Sequence, residues 1–265
     1  MRKVHGLLKG FMAIVFWAVF FLSCQGTAEA SGPFGPPRSL SRGEGGLATA
    51  IGYWRNESDY QIGRDRTFRQ NQIYSQLGYG NKNWEIYGRI GFSDLKISEA
   101  FRGDPDSAII SKNDFEDQWI WFGTLGAKGF YPFNRAFGIG AFIQGSYFKD
   151  FNDRVSGTFA DIPFAAQVKV ENLWDANFGL GLQITSFPRI KFYLGPYVRY
   201  SEARLASSAP IPGLVSNAGS QRIPEGWHLG GYAGISLPLG RGFHLNIEGR
   251  YSERFSAGAA VVYTY

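Results

Sequence analysis

The sequence predicts an all-β fold: a transmembrane antiparallel up-and-down β-barrel of ten strands, with eight strands as the alternative. Three observations carry this. The chain ends in FSAGAAVVYTY, where Phe255, Ala257, Ala259, Val261, Tyr263 and Tyr265 share one face, and Ser256, Gly258, Ala260, Val262 and Thr264 the other. Successive strand residues point to opposite sides, so this is a strand with one greasy face, placed where a chain would ordinarily fray into water. Turn signals upstream separate nine further segments of the same period, and the connections between them alternate between tight and long. Finally, 35 glycines and 17% aromatic residues exceed what a soluble core needs, but suit a barrel with aromatic girdles and a crowded wall.

The first 30 residues read as a secretory signal. Arg2, Lys3 and Lys9 form the basic start, Phe11 to Leu22 the apolar stretch, and Ala28-Glu29-Ala30 the small-x-small cleavage pattern. That apolar run is too short for a comfortable membrane helix, and no other run in the chain is longer, so any crossing is made by strands. Cys24 is the only cysteine, which excludes an intramolecular disulfide. Its setting, Leu22-Ser23-Cys24-Gln25, leaves lipidation open as an alternative to cleavage after Ala30. Without the signal the chain carries 24 basic and 21 acidic residues, too even a balance for a nucleic-acid partner.

Residues 31–46, rich in Pro, Gly, Ser and Arg, read as a flexible periplasmic segment ahead of a barrel over 47–265, with a plug as the lesser alternative. Strands are expected near 47–56, 72–80, 84–95, 118–131, 136–148, 167–185, 191–201, 227–237, 244–252 and 256–265. The tight turns are Gly80-Asn81-Lys82-Asn83, Pro132-Phe133-Asn134-Arg135, Ser186-Phe187-Pro188-Arg189 and Pro238-Leu239-Gly240-Arg241-Gly242. The connections over 57–71, 98–117, 149–163 and 203–225 read as long, polar, irregular loops, and that around Glu253-Arg254 as short. Short turns on one side belong to the periplasm, and an even strand count puts both chain ends there.

The faces follow from parity. On the sixth strand Trp174, Ala176, Phe178, Leu180, Leu182 and Ile184 alternate with Asp175, Asn177, Gly179, Gly181, Gln183 and Thr185. Lipid offers no partner to a polar group, so the apolar set faces out and the polar set faces the lumen, the reverse of a soluble barrel. Trp84, Tyr131, Phe192 and Tyr265 then fall near the periplasmic ends of their strands, and Tyr53, Trp119, Trp174, Tyr200, Trp227 and Tyr251 near the outer ends, forming two aromatic belts.

The terminal strand resembles the C-terminal strand of bacterial outer-membrane β-barrels, which ends in Phe or Tyr with apolar residues at every second position before it. The closing hairpin LNIEGRYSERFSAGAAVVYTY is similar to that of small barrels of the OmpA-like and opacity-like kind. The resemblance implies a cell outer-membrane location and an assembly signature at Tyr265, Tyr263 and Val261. It also implies outer-membrane lipid and the barrel-assembly machinery as partners, with extracellular ligands of the loops as further ones. It transfers no active site.

The lumen face carries the candidate functional residues. By parity Glu85, Arg89, Lys128, Asp175, Arg199, Glu248 and Arg250 point inward, as do Glu171 and His244. Arg89, Lys128, Glu248 and Arg250 count to a similar depth, so they are expected to form a salt-bridge layer that closes or constricts the lumen, because an unpaired buried charge is costly. Charges solvated in an open channel are the alternative. The ten-strand omptin proteases need an Asp-His couple, and no Asp-x-His pair occurs here. Small-barrel lipid A enzymes need a rim His with Ser, whereas His228 points inward and has no adjacent serine on its strand. Asp104, Asp106, Asn113, Asp114, Glu116 and Asp117 make one loop acidic without a calcium-loop spacing. No metal, haem or nucleotide motif is present, so no cofactor is expected. The reading is a non-enzymatic integral outer-membrane barrel serving envelope structure or surface interaction through its loops, with a narrow passive channel as the alternative and a lipid A-modifying enzyme further behind.

Overall fold

The computed structural model describes residues 32–38, 46–62, 64–101, 108–110, 112–159, 162–186, 190–208, 219–223 and 227–265. Thirteen strands run in order: β1 (Gly46–Ile62), β2 (Arg64–Gly80), β3 (Trp84–Ile97), β4 (Ala108–Ile110), β5 (Phe115–Pro132), β6 (Phe137–Phe148), β7 (Phe151–Phe159), β8 (Ile162–Ser186), β9 (Ile190–Ser207), β10 (Gly219–Ile223), β11 (Trp227–Gly240), β12 (Phe243–Tyr251) and β13 (Phe255–Thr264). Ten of them, β1, β2, β3, β5, β6, β8, β9, β11, β12 and β13, pair antiparallel in sequence order, and β13 against β1 closes the barrel. The expected ten strands are the ones found, and the alternative of eight falls away. The signal, Cys24, the turn residues 187–189, and Asp104 and Asp106 lie outside the described residues.

The wall is apolar outward. Leu125 is 76% exposed and Ile90 67%, while Arg250 and Arg199 on the inner face are each 1% exposed. Such an inversion is stable only against hydrocarbon, where closure also leaves no strand edge unpaired. At one end tight turns join the strands. The side-chain oxygen of Asn81 accepts from the backbone N–H groups of Asn83 and Trp84, and that of Asn134 from those of Ala136 and Phe137. Gly240, Arg241 and Gly242 turn with positive φ of 90°, 49° and 90°.

The other end is more ordered than expected. The first connection, anticipated as an irregular loop over 57–71, is instead β1 and β2 continuing in register up to Ile62 and Arg64. Likewise β7 pairs with the first half of β8, β4 adds to β7, and β10 adds to β9. Beyond the membrane both faces of a strand can meet water, so polar residues there do not mark a loop.

Two bulges let the wall change chemistry. The extra residue of β5 falls between Asp117 and Ile120, at Trp119 with φ 62°, and that of β8 between Glu171 and Trp174, at Asn172 with φ 53°. A one-residue insertion flips every later side chain to the opposite face. Inward positions on β8 are therefore odd over the membrane (Asp175, Asn177, Gly179) and even beyond it (Ala166, Val168, Val170). Glu171, expected to face the lumen, consequently points outward. Past the bulges Phe68, Leu95, Ile97, Phe115, Phe148, Phe151, Val168 and Val170 form a buried apolar cluster, the interior an aqueous projection requires. Outside, aromatic or apolar residues give way to polar ones at the next outward position: Tyr53 to Arg55, Ile73 to Asn71, Phe92 to Asp94, Tyr147 to Lys149 and Tyr200 to Glu202. The expected belts are in place. Tyr53, Trp119, Trp227 and Tyr251 are exposed at this end and Trp84, Tyr131, Phe192 and Tyr265 at the turn end, while Trp174 and Tyr200 pack on one another at 5.4 Å.

Inside, aromatic rings cover glycines on the neighbouring strands. A Cβ at Gly52 would stand 2.3 Å from Tyr74, one at Gly126 2.3 Å from Tyr87, one at Gly234 2.3 Å from Tyr193 and one at Gly179 2.2 Å from Phe142. Glycine is needed there for space, so that a ten-strand barrel can hold several large rings.

Residues 32–38, expected in a flexible periplasmic segment, lie in the lumen instead, with Phe34 only 1% exposed. The reason is complementarity. The interior would otherwise keep desolvated charges and aromatic faces, and the Gly-Pro-Phe-Gly-Pro-Pro stretch offers free backbone groups and one ring to meet them.

Gly234→Ala is expected to destabilise the folded barrel by about 1–3 kcal/mol through overpacking, read as a lower midpoint of heat-modifiable gel mobility. Combining it with Tyr193→Leu should cost less than the sum of the two single changes, because the leucine vacates the space above position 234.

Candidate functional site

Glu248 and Arg250 stand two apart on β12, so the pleat points both inward, and they pair at 3.0 Å with each side chain 1% exposed. Both carboxylate oxygens of Glu248 are engaged by the N-terminal segment: Oε1 accepts from the Phe34 N–H and Oε2 from the Gly35 N–H, each at 2.8 Å. The Tyr193 hydroxyl donates to Oε2 at 3.3 Å. Gly35 holds a φ of 75°, the left-handed conformation that lets two successive N–H groups converge on one carboxylate. Arg250 donates to the Gly32 carbonyl, and its guanidinium lies 3.3 Å from the Phe34 ring centroid and 4.7 Å from that of Trp54. Phe34 in turn meets Phe142 at 3.8 Å, Tyr232 at 5.2 Å and Tyr197 at 5.3 Å between centroids.

A second pair stands across β3 and β5. Glu85 and Lys128 are register partners, with Nζ 3.4 Å from Oε1, and Nζ also donates to the Pro36 carbonyl at 3.4 Å. Farther along the segment the Arg38 N–H donates to Gln183 at 3.2 Å, and Pro37 sits over Gly140 and Gly181. At the other end Gln144 donates to the Gly32 carbonyl at 3.4 Å. The segment thus runs from mid-barrel toward the turn end, and a cavity of about 30 Å³ beside it has room for roughly one water.

The seven expected lumen charges all face inward, but not as one layer. Two separate pairs form, and each also binds the segment. Arg89 bonds to amide oxygens, Gln76 at 2.7 Å and Gln144 at 3.1 Å, between the rings of Tyr74 and Tyr87. Asp175 accepts from Asn177 at 2.7 Å. The Arg199 guanidinium has no hydrogen-bond partner among the described residues, although β9 pairs it with Asn177 and His228. His244 keeps its inward parity and is half-buried. Val261, Tyr263 and Tyr265, expected as an assembly signature, lie outward at the turn end: Val261 and Tyr265 are exposed, and Tyr263 packs between Phe243 and Tyr265 at 4.7 and 4.8 Å.

Sequence reasoning set the plug behind a periplasmic tail and missed that Gln144 and Gln183 receive the segment. Phe34, a lone aromatic in a Pro-Gly stretch, was the available signal. It also missed that Glu253, in the β12–β13 turn and distant in sequence, lies 3.3 Å from His228 Nδ1 on β11. The imidazole still faces the lumen and is buried, away from lipid.

The class this fold defines is the outer-membrane β-barrel, all-β and closed, with its apolar band outward. No protein-family model and no curated protein matches the chain. Solved structures do. The chain is similar to the translocator domain of the autotransporter NalP from Neisseria meningitidis, with 12% identity, TM-score 0.45, and 100% of this chain and 96% of that one covered. An outer-membrane channel from Pseudomonas putida F1 matches at 12% identity and TM-score 0.48, over 89% and 100% of the two chains. Ail, the attachment invasion locus protein of Yersinia pestis, matches at 12% identity and TM-score 0.36, over 84% and 99%.

Glu248→Gln is expected to destabilise the barrel by about 3–5 kcal/mol, since it strands Arg250 in a dry interior. Replacing Glu85 by Gln and Lys128 by Met together should cost less than either change alone. Unfolding midpoints in lipid check both.

Proposed function

We propose that this chain is a non-enzymatic integral outer-membrane protein that contributes to envelope structure or surface contact through its strand-extended end. The observation that carries the reading is the occupancy of the lumen by residues 32–38. A barrel whose bore is filled at mid-depth by its own chain, gripped at Glu248, Arg250, Lys128 and Gln183, is better suited to a scaffold than to a passive channel. In this reading the turn end and both chain ends face the periplasm, the signal is removed after export, and the strand ending in Val261, Tyr263 and Tyr265 is the segment the barrel-assembly machinery engages. The inward, buried position of His228 favours a structural imidazole over a lipid-modifying one.

The extended end has the order a contact surface needs. Lys96 bridges Asp114 at 2.8 Å and also Glu116, Lys112 pairs with Asp153, and Arg55 pairs with Glu57 at 2.5 Å. Asp114 Oδ1 accepts from the Glu99 N–H at 2.8 Å, tying down the segment after β3. Partial burial pushes the Asp114 carboxyl up, but the Lys96 ammonium and the Glu99 N–H outweigh it and hold the carboxyl below its ordinary value. A depressed folded value means that the tie is fully present above the unfolded carboxylate range and is lost as pH falls through the lowered value.

Residues 31–265, refolded into a planar bilayer and checked for folding by heat-modifiable mobility, are expected to be electrically silent; sustained openings would contradict the scaffold reading. On intact cells a thiol reagent should label Glu57→Cys and leave Lys82→Cys untouched, and the reverse result would invert the orientation. Protection of the Glu99 amide against hydrogen exchange should be flat at neutral pH and fall below about pH 4, and Asp114→Ala should remove it at every pH.

A further inference from the structure

The interior is not built as a permanent seal. Residues 32–38 belong to no strand and are held by a handful of hydrogen bonds and one stacked ring, all of them reversible. The hydrogen-bonding groups that hold them are charged or amide side chains able to bind water once the segment leaves, while the Phe34 ring sits among Phe142, Tyr197 and Tyr232. Toward the extended end the lining is divided. Toward this end the apolar cluster takes in β2, β3, β5, β6, β7, β8 and β9, from Phe68 round to Leu205. The rest of the wall, on β1, β2, β11 and β13, carries Asn56, Ser58, Gln70, Gln72, His228 and Ser256, all facing inward and buried. This polar track begins where Arg250 meets Trp54 and continues to Asn56 and Ser256, beside the β12–β13 connection.

Charge gives the track a preference. Between the belts the described inward cations are Arg89, Lys128, Lys191, Arg199 and Arg250, and the described inward carboxylates are Glu85, Asp175 and Glu248. A narrow bore with low-dielectric walls and excess positive charge draws anions in and repels small cations.

We infer that the N-terminal segment is a displaceable plug, and that the lumen it vacates is an anion-preferring passage for small hydrated solutes. The inference rests on the full chain being closed, as proposed above. Departure of the segment removes Phe34 from the bore and leaves Glu248 with Arg250 and the Tyr193 hydroxyl. It leaves Lys128 facing water with Glu85 on one side only, so the positive excess is read by whatever enters.

The test compares three proteins in planar bilayers under a potassium chloride gradient, each first shown to be folded by heat-modifiable mobility. They are residues 31–265, residues 39–265, and residues 31–265 carrying Phe34→Ala with Glu248→Gln. The first is expected to be silent. The second should show stable openings whose reversal potential lies toward that of chloride, and the third should flicker between closed and open. Adding Lys128→Gln to the open form should move the reversal potential back toward zero. The inference is overturned if both altered proteins fold and stay silent, or if they open with a preference for potassium. Should residues 39–265 fail to fold, the third protein decides alone. Openings in the unaltered chain would instead overturn the closed-scaffold reading, a separate result.

Discussion

A backbone amide inside a hydrocarbon layer finds no partner except another backbone group, and the rest of this structure follows from that. The chain meets the demand by closing β13 on β1, with the pairs Ala48 to Thr264 through Arg55 to Ala257 completing the last ladder. Closure fixes the interior volume, and the outward face must then be apolar. The polar half of every spanning strand has only the lumen to go to. Charges such as Glu85 and Glu248 are drawn inward by exclusion from lipid, and once there they need partners. Lys128, Arg250 and the backbone N–H groups of Phe34 and Gly35 supply them.

Seen this way, the glycines, the rings and the N-terminal segment solve one packing problem. A ten-strand bore is too wide for its wall side chains to meet at the axis and too narrow to leave large aromatic side chains unaccommodated. Glycine at 52, 126, 179 and 234 lets Tyr74, Tyr87, Phe142 and Tyr193 lie flat against the neighbouring strands. The space that remains at the axis is taken by Phe34 and its flanking prolines. The bulges at Trp119 and Asn172 solve a second problem, the passage from hydrocarbon to water. One extra residue on each strand turns a polar-inside wall into an apolar-inside one without interrupting the strand.

The parts written as strict alternation were legible in the sequence. All ten barrel strands stand where the period of two put them, the tight turns among the described residues are where Gly, Asn and Pro cluster, and the inward parity of Arg89, Lys128, Glu248 and Arg250 is correct. The extended end was illegible because its outer faces are polar, so the stretch between Glu57 and Asn71 has the composition of a loop while pairing as a hairpin. Glu171 was misassigned because a single residue in a positive-φ conformation leaves no compositional mark. The partners of the lumen charges were hidden for another reason. Glu248 binds a backbone more than two hundred residues away, and a Pro-Gly stretch after a signal looks the same whether it is solvated or packed.

The central claim is that the barrel is filled by its own N-terminal segment, and the most direct test is nuclear Overhauser contact to the Phe34 ring in the folded, lipid-embedded protein. Cross-peaks from that ring to those of Tyr197 and Tyr232, with shifted, slowly exchanging amides at Phe34 and Gly35, are the expected result. Sharp random-coil resonances for residues 32–38, without contact to any lumen ring, would contradict it.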